Sequence, residues 1–189
     1  MKLLRKLYEM FFVWHVPTRY LTSIETSPDP DVLIAVTFGM KGDKPGLSNE
    51  TMAYEAARTS EIWEIPFLLQ KEIAEALPPG VEPAGQMSGV YDGKYHDTSD
   101  TVSEAAAMCR KNGWKNVMVL GHPAHAWRVC RCAEKSGLTV VETVTTFDGA
   151  EKKIPYDPHS TQKWCRGPIR YLLYELLAAR PVYLFTGKI

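Results

Sequence analysis

The chain has 189 residues, 45% hydrophobic and 23% charged, the proportions of a globular domain with a core of its own. Lys plus Arg equals Asp plus Glu, 22 each; a dedicated nucleic-acid binder would carry a basic excess, so that class is set aside. No run approaches the ~18 uninterrupted apolar residues of a membrane span, so no transmembrane segment is expected.

Residues 1–30 read as an N-terminal helix and linker packed on the domain. Leu3, Leu4, Leu7, Phe11 and Trp14 fall on one helical stripe. Glu9 interrupts the apolar run and no small-residue cleavage pattern follows, so it is not read as a leader. The alternative is a helix lying on a membrane surface, with Lys2, Arg5 and Lys6 toward anionic lipid.

Residues 31–189 read as a single α/β domain. Asp31 to Val36 is a nearly unbroken apolar run, suited to a central parallel strand. It leads through Thr37-Phe38-Gly39-Met40 into a polar loop, and Ser48 is placed to cap the next helix. Met52, Ala53, Ala56, Ala57 and Ser60 give that helix a narrow face of mostly small residues that can lie close to a sheet. Pro66 to Leu69 reads as a strand, and Glu72 to Leu77 as a brief helix stopped by Pro78-Pro79-Gly80. Val81 to Thr98 reads as a long polar loop in which Val81-Glu82-Pro83 could hide a short strand.

Thr101 and Glu104 have capping-box spacing, followed by a buried face of Val102, Ala105, Ala106 and Cys109. Asn116 to Leu120 is a second buried strand. Pro123 stands where a first helical residue belongs and Gly137 where a C-terminal glycine is expected, with Ala126, Val129, Cys130 and Ala133 as the apolar face between them. Leu138 to Thr146 is the next strand and residues 147–159 a loop. Ser160 is placed to cap a final helical region, which Gly167-Pro168 interrupts. Ile169, Leu172, Leu173, Leu176 and Leu177 are expected to bury its second part, and Pro181 to end it. Alternating strands and helices predict a three-layer α/β sandwich with a mainly parallel sheet.

The turn after the second buried strand carries His122, His125 and Arg128. A helix N-terminus already presents free N–H groups and partial positive charge, so these side chains suit an anion there. The expectation is a small anionic ligand, gripped by Arg128 through two parallel bonds. The structural alternatives are that Arg128 pairs with Glu104 or an Asp, His122 caps the helix and His125 meets a loop carbonyl. Asp92, His96, Asp97 and Asp100 could join the histidines around a metal, but no strong zinc spacing exists and no metal is assigned.

Asp100 or Glu104 could act as a general base, Glu104 being the expected capping partner. A nucleophile elbow, a Walker loop and a Gly-x-Gly-x-x-Gly turn are all missing, so no catalytic residue and no cofactor is assigned. Tyr156-Asp157-Pro158-His159 reads as an Asp-Pro turn or a lid. Cys109, Cys130, Cys132 and Cys165 read as free thiols of a reducing compartment, which predicts a cytoplasmic protein.

The SDTVSEA run, the GWKNVMVL strand, the HPAHAWR turn and the YDPHSTQKWCR segment, in that order, resemble the YdcF-like family, over roughly Asp31 to the C-terminus. The resemblance implies a Rossmann-like sandwich with its pocket at the strand C-terminal ends, a phosphate-bearing, nucleotide-like or S-adenosylmethionine-like ligand, and a link to cell-envelope biology. It implies ligand-binding roles for His125 and Arg128, for Thr101 and Glu104 at a spacing one longer than usual, for Gly39, and for Ser48. The family's Ser-Gly-Gly after the second strand is missing here, and Tyr54 stands where its helix carries Arg. The candidate ligand set is therefore Gly39, Ser48, Asp100, Thr101, Glu104, His122, His125 and Arg128. Two other readings stay open. One is a metal-assisted hydrolase; the other is a non-catalytic accessory protein whose aromatic N-terminus and leucine-rich last helix form a homodimer or partner surface.

Overall fold

A computed structural model of the chain describes residues 28–93, 95–147 and 152–189. Five strands form one parallel sheet: β1 (Val32–Ala35), β2 (Phe67–Gln70), β3 (Gly85–Met87), β4 (Asn116–Leu120) and β5 (Thr139–Val144), in spatial order β3-β2-β1-β4-β5. The N-terminal helix expected over residues 1–16 lies outside the described residues.

Alternation along the strands creates the three layers. Val32 and Ile34 of β1 and Val117 and Val119 of β4 share a cluster with helices α3 (Thr98–Asn112) and α4 (Pro123–Lys135). Leu33 and Ala35, with Met118 and Leu120, face the opposite way, onto α1 (Leu47–Trp63) and the short α2 (Lys71–Ala74). Both faces of β1 and β4 are covered, so these strands read as continuous apolar runs. The α/β sandwich is thus Rossmann-like, with its chain reversal between β1 and β4, where open sheets of this kind form a crevice. Asp31 pins the two strand starts together, its carboxylate accepting the N–H groups of Lys115 and Asn116, both at 2.7 Å.

Four elements depart from expectation. First, α1 starts at Leu47 with Gly46, not Ser48, at its cap. Gly46 has φ +79, and a Cβ there would lie 2.7 Å from Asp157 Oδ2. That carboxylate accepts the Leu47 N–H at 3.1 Å, so a group 110 residues away terminates the helix. Second, α3 starts at Thr98. Its capping box is Asp97 with Asp100, each side chain accepting from the other's backbone. The polar first turn TSD resembles loop in composition, which moved the expected start onward. Third, the strand hidden in the polar loop is Gly85–Met87; it pairs with β2 after Ala84 N–H reaches Phe67 O at 2.9 Å.

Fourth, the last helix continues through Pro181. It runs as α5 (Pro168–Tyr174), a π-helical turn (Glu175–Ala179) and α6 (Arg180–Phe185). Pro181 sits in the first turn after the π segment, where the ordinary helical ladder is already broken and a missing N–H is tolerated. Its buried face is Tyr171, Glu175, Ala179, Arg180 and Tyr183, whereas Ile169, Leu172, Leu173 and Leu177 are exposed. Ser160 does not cap a helix; its hydroxyl accepts the N–H groups of Met40 and Gln162. Tyr171 packs with the α1-side cluster and Tyr183 with the α3/α4-side cluster. The last helix therefore carries the chain across the carboxyl edge of the sheet.

Candidate functional site

The loops leaving β1 and β4 meet at the reversal point. Phe38 stacks on His122 with ring centroids 3.8 Å apart and 6° between planes, and Tyr156 meets His122 edge-on at 4.3 Å. Side chains hold the β1 loop in place. Gln70 Oε1 accepts Thr37 N–H at 3.0 Å and Asn49 Oδ1 accepts Phe38 N–H at 2.9 Å. Asn49 Nδ2 donates to Gly39 O and to Pro45 O. Gly39 has φ +77, and a Cβ there would approach Ser160 Oγ to 2.9 Å, so this close crossing of two loops requires glycine.

His122 is the N-cap of α4. Its Nδ1 accepts Ala124 N–H at 3.2 Å, and Pro123 occupies the first helical position. Burial lowers its pKa to about 3, so the ring is neutral. With Nδ1 an acceptor, the ring proton lies on Nε2, which is buried without a protein partner. His125, 4% exposed, pairs its Nε2 with Thr98 Oγ1 at 3.0 Å and leaves Nδ1 without a partner. Burial first, then the nearby Arg128 charge and His122, pushes its pKa well below the ordinary value.

Arg128 is 6% exposed. Its Nη1 donates to Glu175 Oε1 at 2.5 Å and Nη2 lies 3.4 Å from Tyr171 Oη; Nε is buried without a partner. Glu175, the first residue of the π turn, also accepts from Arg180 Nε at 3.3 Å. The guanidinium of Arg128 lies 5.1 Å from the Tyr183 ring centre and 5.9 Å from that of Tyr174. Its desolvation is opposed by the Glu175 charge, and its pKa stays well above the ordinary value.

The turn is therefore not the exposed cationic patch its composition suggests: both imidazoles are neutral and the guanidinium is already paired. Nor are the neighbouring helix starts open to an outside anion. Asp157 serves α1, and Asp97 with Asp100 serves α3, where Lys188 in turn contacts Asp97.

A small cavity of about 40 Å³ opens at this edge, room for a few waters or a compact ligand group. Four residues of the sequence-derived set line it: Gly39, Thr101, His125 and Arg128. Four do not. Ser48 is buried and donates to Pro155 O at 2.7 Å. Asp100 belongs to the α3 capping box. Glu104 accepts Ser88 N–H at 2.7 Å, fixing the loop after β3, and its other oxygen is 3.4 Å from His96 Nδ1. His122 faces a second, larger cavity of about 760 Å³.

Sequence reasoning missed the aromatic wall of the small cavity, Trp164, Tyr171 and Tyr174, together with Gln70 and Thr98. It also missed Glu175. Tyr171 and Tyr174 lie among the leucines of the last helix, and Trp164 lies in the short turn before it.

Among the described residues no three His, Cys, Asp or Glu side chains gather as metal ligands, and no helix is long and apolar enough to cross a membrane. All four cysteines are buried. Burial raises the thiols of Cys132 and Cys165 to about 12 and that of Cys109 to about 11, so none is primed as a nucleophile. No protein-family model, no curated protein and no solved structure matches the chain.

Proposed function

We propose that the protein binds a small anionic molecule, inserting one carboxylate- or phosphoryl-sized group into the cavity between the β1 and β4 loops. The observation that carries this reading is the pair of unpartnered buried atoms, Arg128 Nε and His125 Nδ1, on two residues lining one cavity. A buried polar atom without a partner is costly unless a water or ligand completes it. Arg128 supplies the charge-assisted donor, Thr101 and Thr98 lie at the same cavity, and Trp164 and Tyr174, stacked at 4.9 Å, offer an aromatic surface to a flat ring attached to the anion.

The resemblance to the YdcF-like family supports the same reading, since Gly39, Thr101, His125 and Arg128 are among the positions its pattern marks. The proposal includes a nucleotide or S-adenosylmethionine-like ligand and membership of that family. It includes no reaction.

Calorimetric titration of the full chain with inorganic phosphate, adenosine monophosphate, S-adenosylmethionine and neutral adenosine tests it. At least one charged compound is expected to bind, with Arg128→Lys and His125→Gln each weakening it by roughly tenfold, the scale of one buried hydrogen bond to a charge. Failure of all the charged compounds to bind, or equal affinity in folded variants, would overturn the reading.

A further inference from the structure

The larger cavity has a different chemistry from the first. Its deep end is formed by buried His122, Tyr171, Glu175 and Arg180, and its outer wall by Pro123, Ala124, Ile154 and Tyr156, with exposed Pro168 and Leu172 at the mouth. Its volume of about 760 Å³ falls within the range of small-molecule pockets, roughly 300–1,000 Å³, which are mostly apolar with a few placed polar groups. The deep polar groups are largely committed to one another: Glu175 to Arg128 and Arg180, and Tyr171 packed against Phe38 at 4.9 Å.

One deep group is not committed. His122 Nδ1 is used by the Ala124 N–H, so the neutral ring places its proton on Nε2, and that N–H is 99% buried by residue and has no protein acceptor. The ring cannot flip without giving up the cap on Ala124 N–H. A donor held this way in an apolar chamber selects an acceptor oxygen on an otherwise apolar molecule.

We infer that this chamber is a second binding site, for a neutral apolar molecule with a carbonyl oxygen at one end, seated on His122 Nε2–H with its hydrocarbon part running outward past Ala124, Ile154 and Leu172. A neutral acceptor is favoured over a carboxylate because Glu175 lines the same deep end. A cationic head is disfavoured by Arg180 and by the lack of an acceptor in neutral His122. The site is separate from the anion cavity, which His122 does not line.

The test uses the full chain and 1-aminoanthracene as a fluorescent apolar probe. Saturable binding near one equivalent is expected, with displacement by decan-2-one and at least tenfold poorer displacement by decylammonium. Leu172→Trp, a substitution at an exposed position, is expected to block the mouth and abolish probe binding. His122→Asn keeps an oxygen for the helix cap and removes the imidazole donor; it is expected to weaken decan-2-one by roughly tenfold while changing 1-aminoanthracene little.

Three outcomes would overturn the inference: no saturable probe binding, binding that survives Leu172→Trp, or decan-2-one affinity unchanged in folded His122→Asn. Each readout is independent of the phosphate and nucleotide titrations, so this site and the anion cavity stand or fall separately.

Discussion

Phe38, just past the end of β1, lies flat against His122, just past the end of β4. This contact ties together the two loops that diverge at the reversal of strand order. It joins an apolar ring to a helix cap, so the same residue pair sets both the packing of the edge and the start of α4. Phe38→Ala removes the stack and the contacts to Tyr156 and Tyr171. A loss of about 3–5 kcal/mol is expected, the usual cost of truncating a buried Phe, measured as a lower urea midpoint with an unchanged slope.

The neutral histidines make stability fall in acid. The folded pKa of His122 is about 3, below its ordinary 6.5, and His125 shifts the same way. Between those values the unfolded chain binds more protons than the folded one, so stability rises with pH there and levels off above about pH 6.5. Each such group contributes up to about 1.4 kcal/mol per pH unit within that window. Urea unfolding at pH 7, 6 and 5 should show a progressive loss, and His122→Asn should lessen it, leaving the share of His125. A pH-independent midpoint across this range would mean that the rings are not held neutral.

Glu175 is the acceptor for two guanidiniums away from water. Removing it takes the carboxylate away from the buried Arg128 guanidinium. Glu175→Ala is therefore expected to cost about 3–5 kcal/mol. By contrast, Asp92→Asn, at the exposed Lys71–Asp92 pair, should leave the midpoint within error. Chemical denaturation of both variants side by side makes the comparison.

Gly39 and Gly80 both have positive φ, +77 and +84, but only Gly39 is crowded, by Ser160 Oγ and Cys165 Cβ. Alanine at Gly80 is expected to cost about 1–2 kcal/mol, from the left-handed backbone alone. At Gly39 the clash adds about 1–3 kcal/mol more, since a packed neighbour must move. Equal losses would show that the crossing of the 39 and 160 loops is softer than its geometry indicates.

The central strands and α4 were legible because their signals are local. An apolar run covered on both faces, Pro123 at a helix start and Gly137 after its end each carry their own reason within a few residues. What escaped was settled at a distance. The start of α1 depends on Asp157, the charge state of the Arg128 turn on Glu175, and the glycine requirement at 39 on Ser160. No periodicity or motif within those segments announces a partner that arrives from another loop. The expected positive turn was sound for isolated side chains. Burial discharges the imidazoles, whereas the guanidinium paired with Glu175 keeps its charge.

The π turn at Glu175–Ala179 also keeps the phase of everything after it. A π turn in effect stows one surplus residue inside an α-helix, and each helical residue advances the side chains by roughly 100°. Excising a position from a regular turn of this helix would swing its downstream end by that angle. Tyr183 would leave its cluster and Lys188 would leave Asp97, although no contacting residue had been altered. Excising one within the π turn, Leu177 for instance, would instead leave the downstream phase in place, so where a residue is lost matters to the roof over the sheet edge as much as which residue it is.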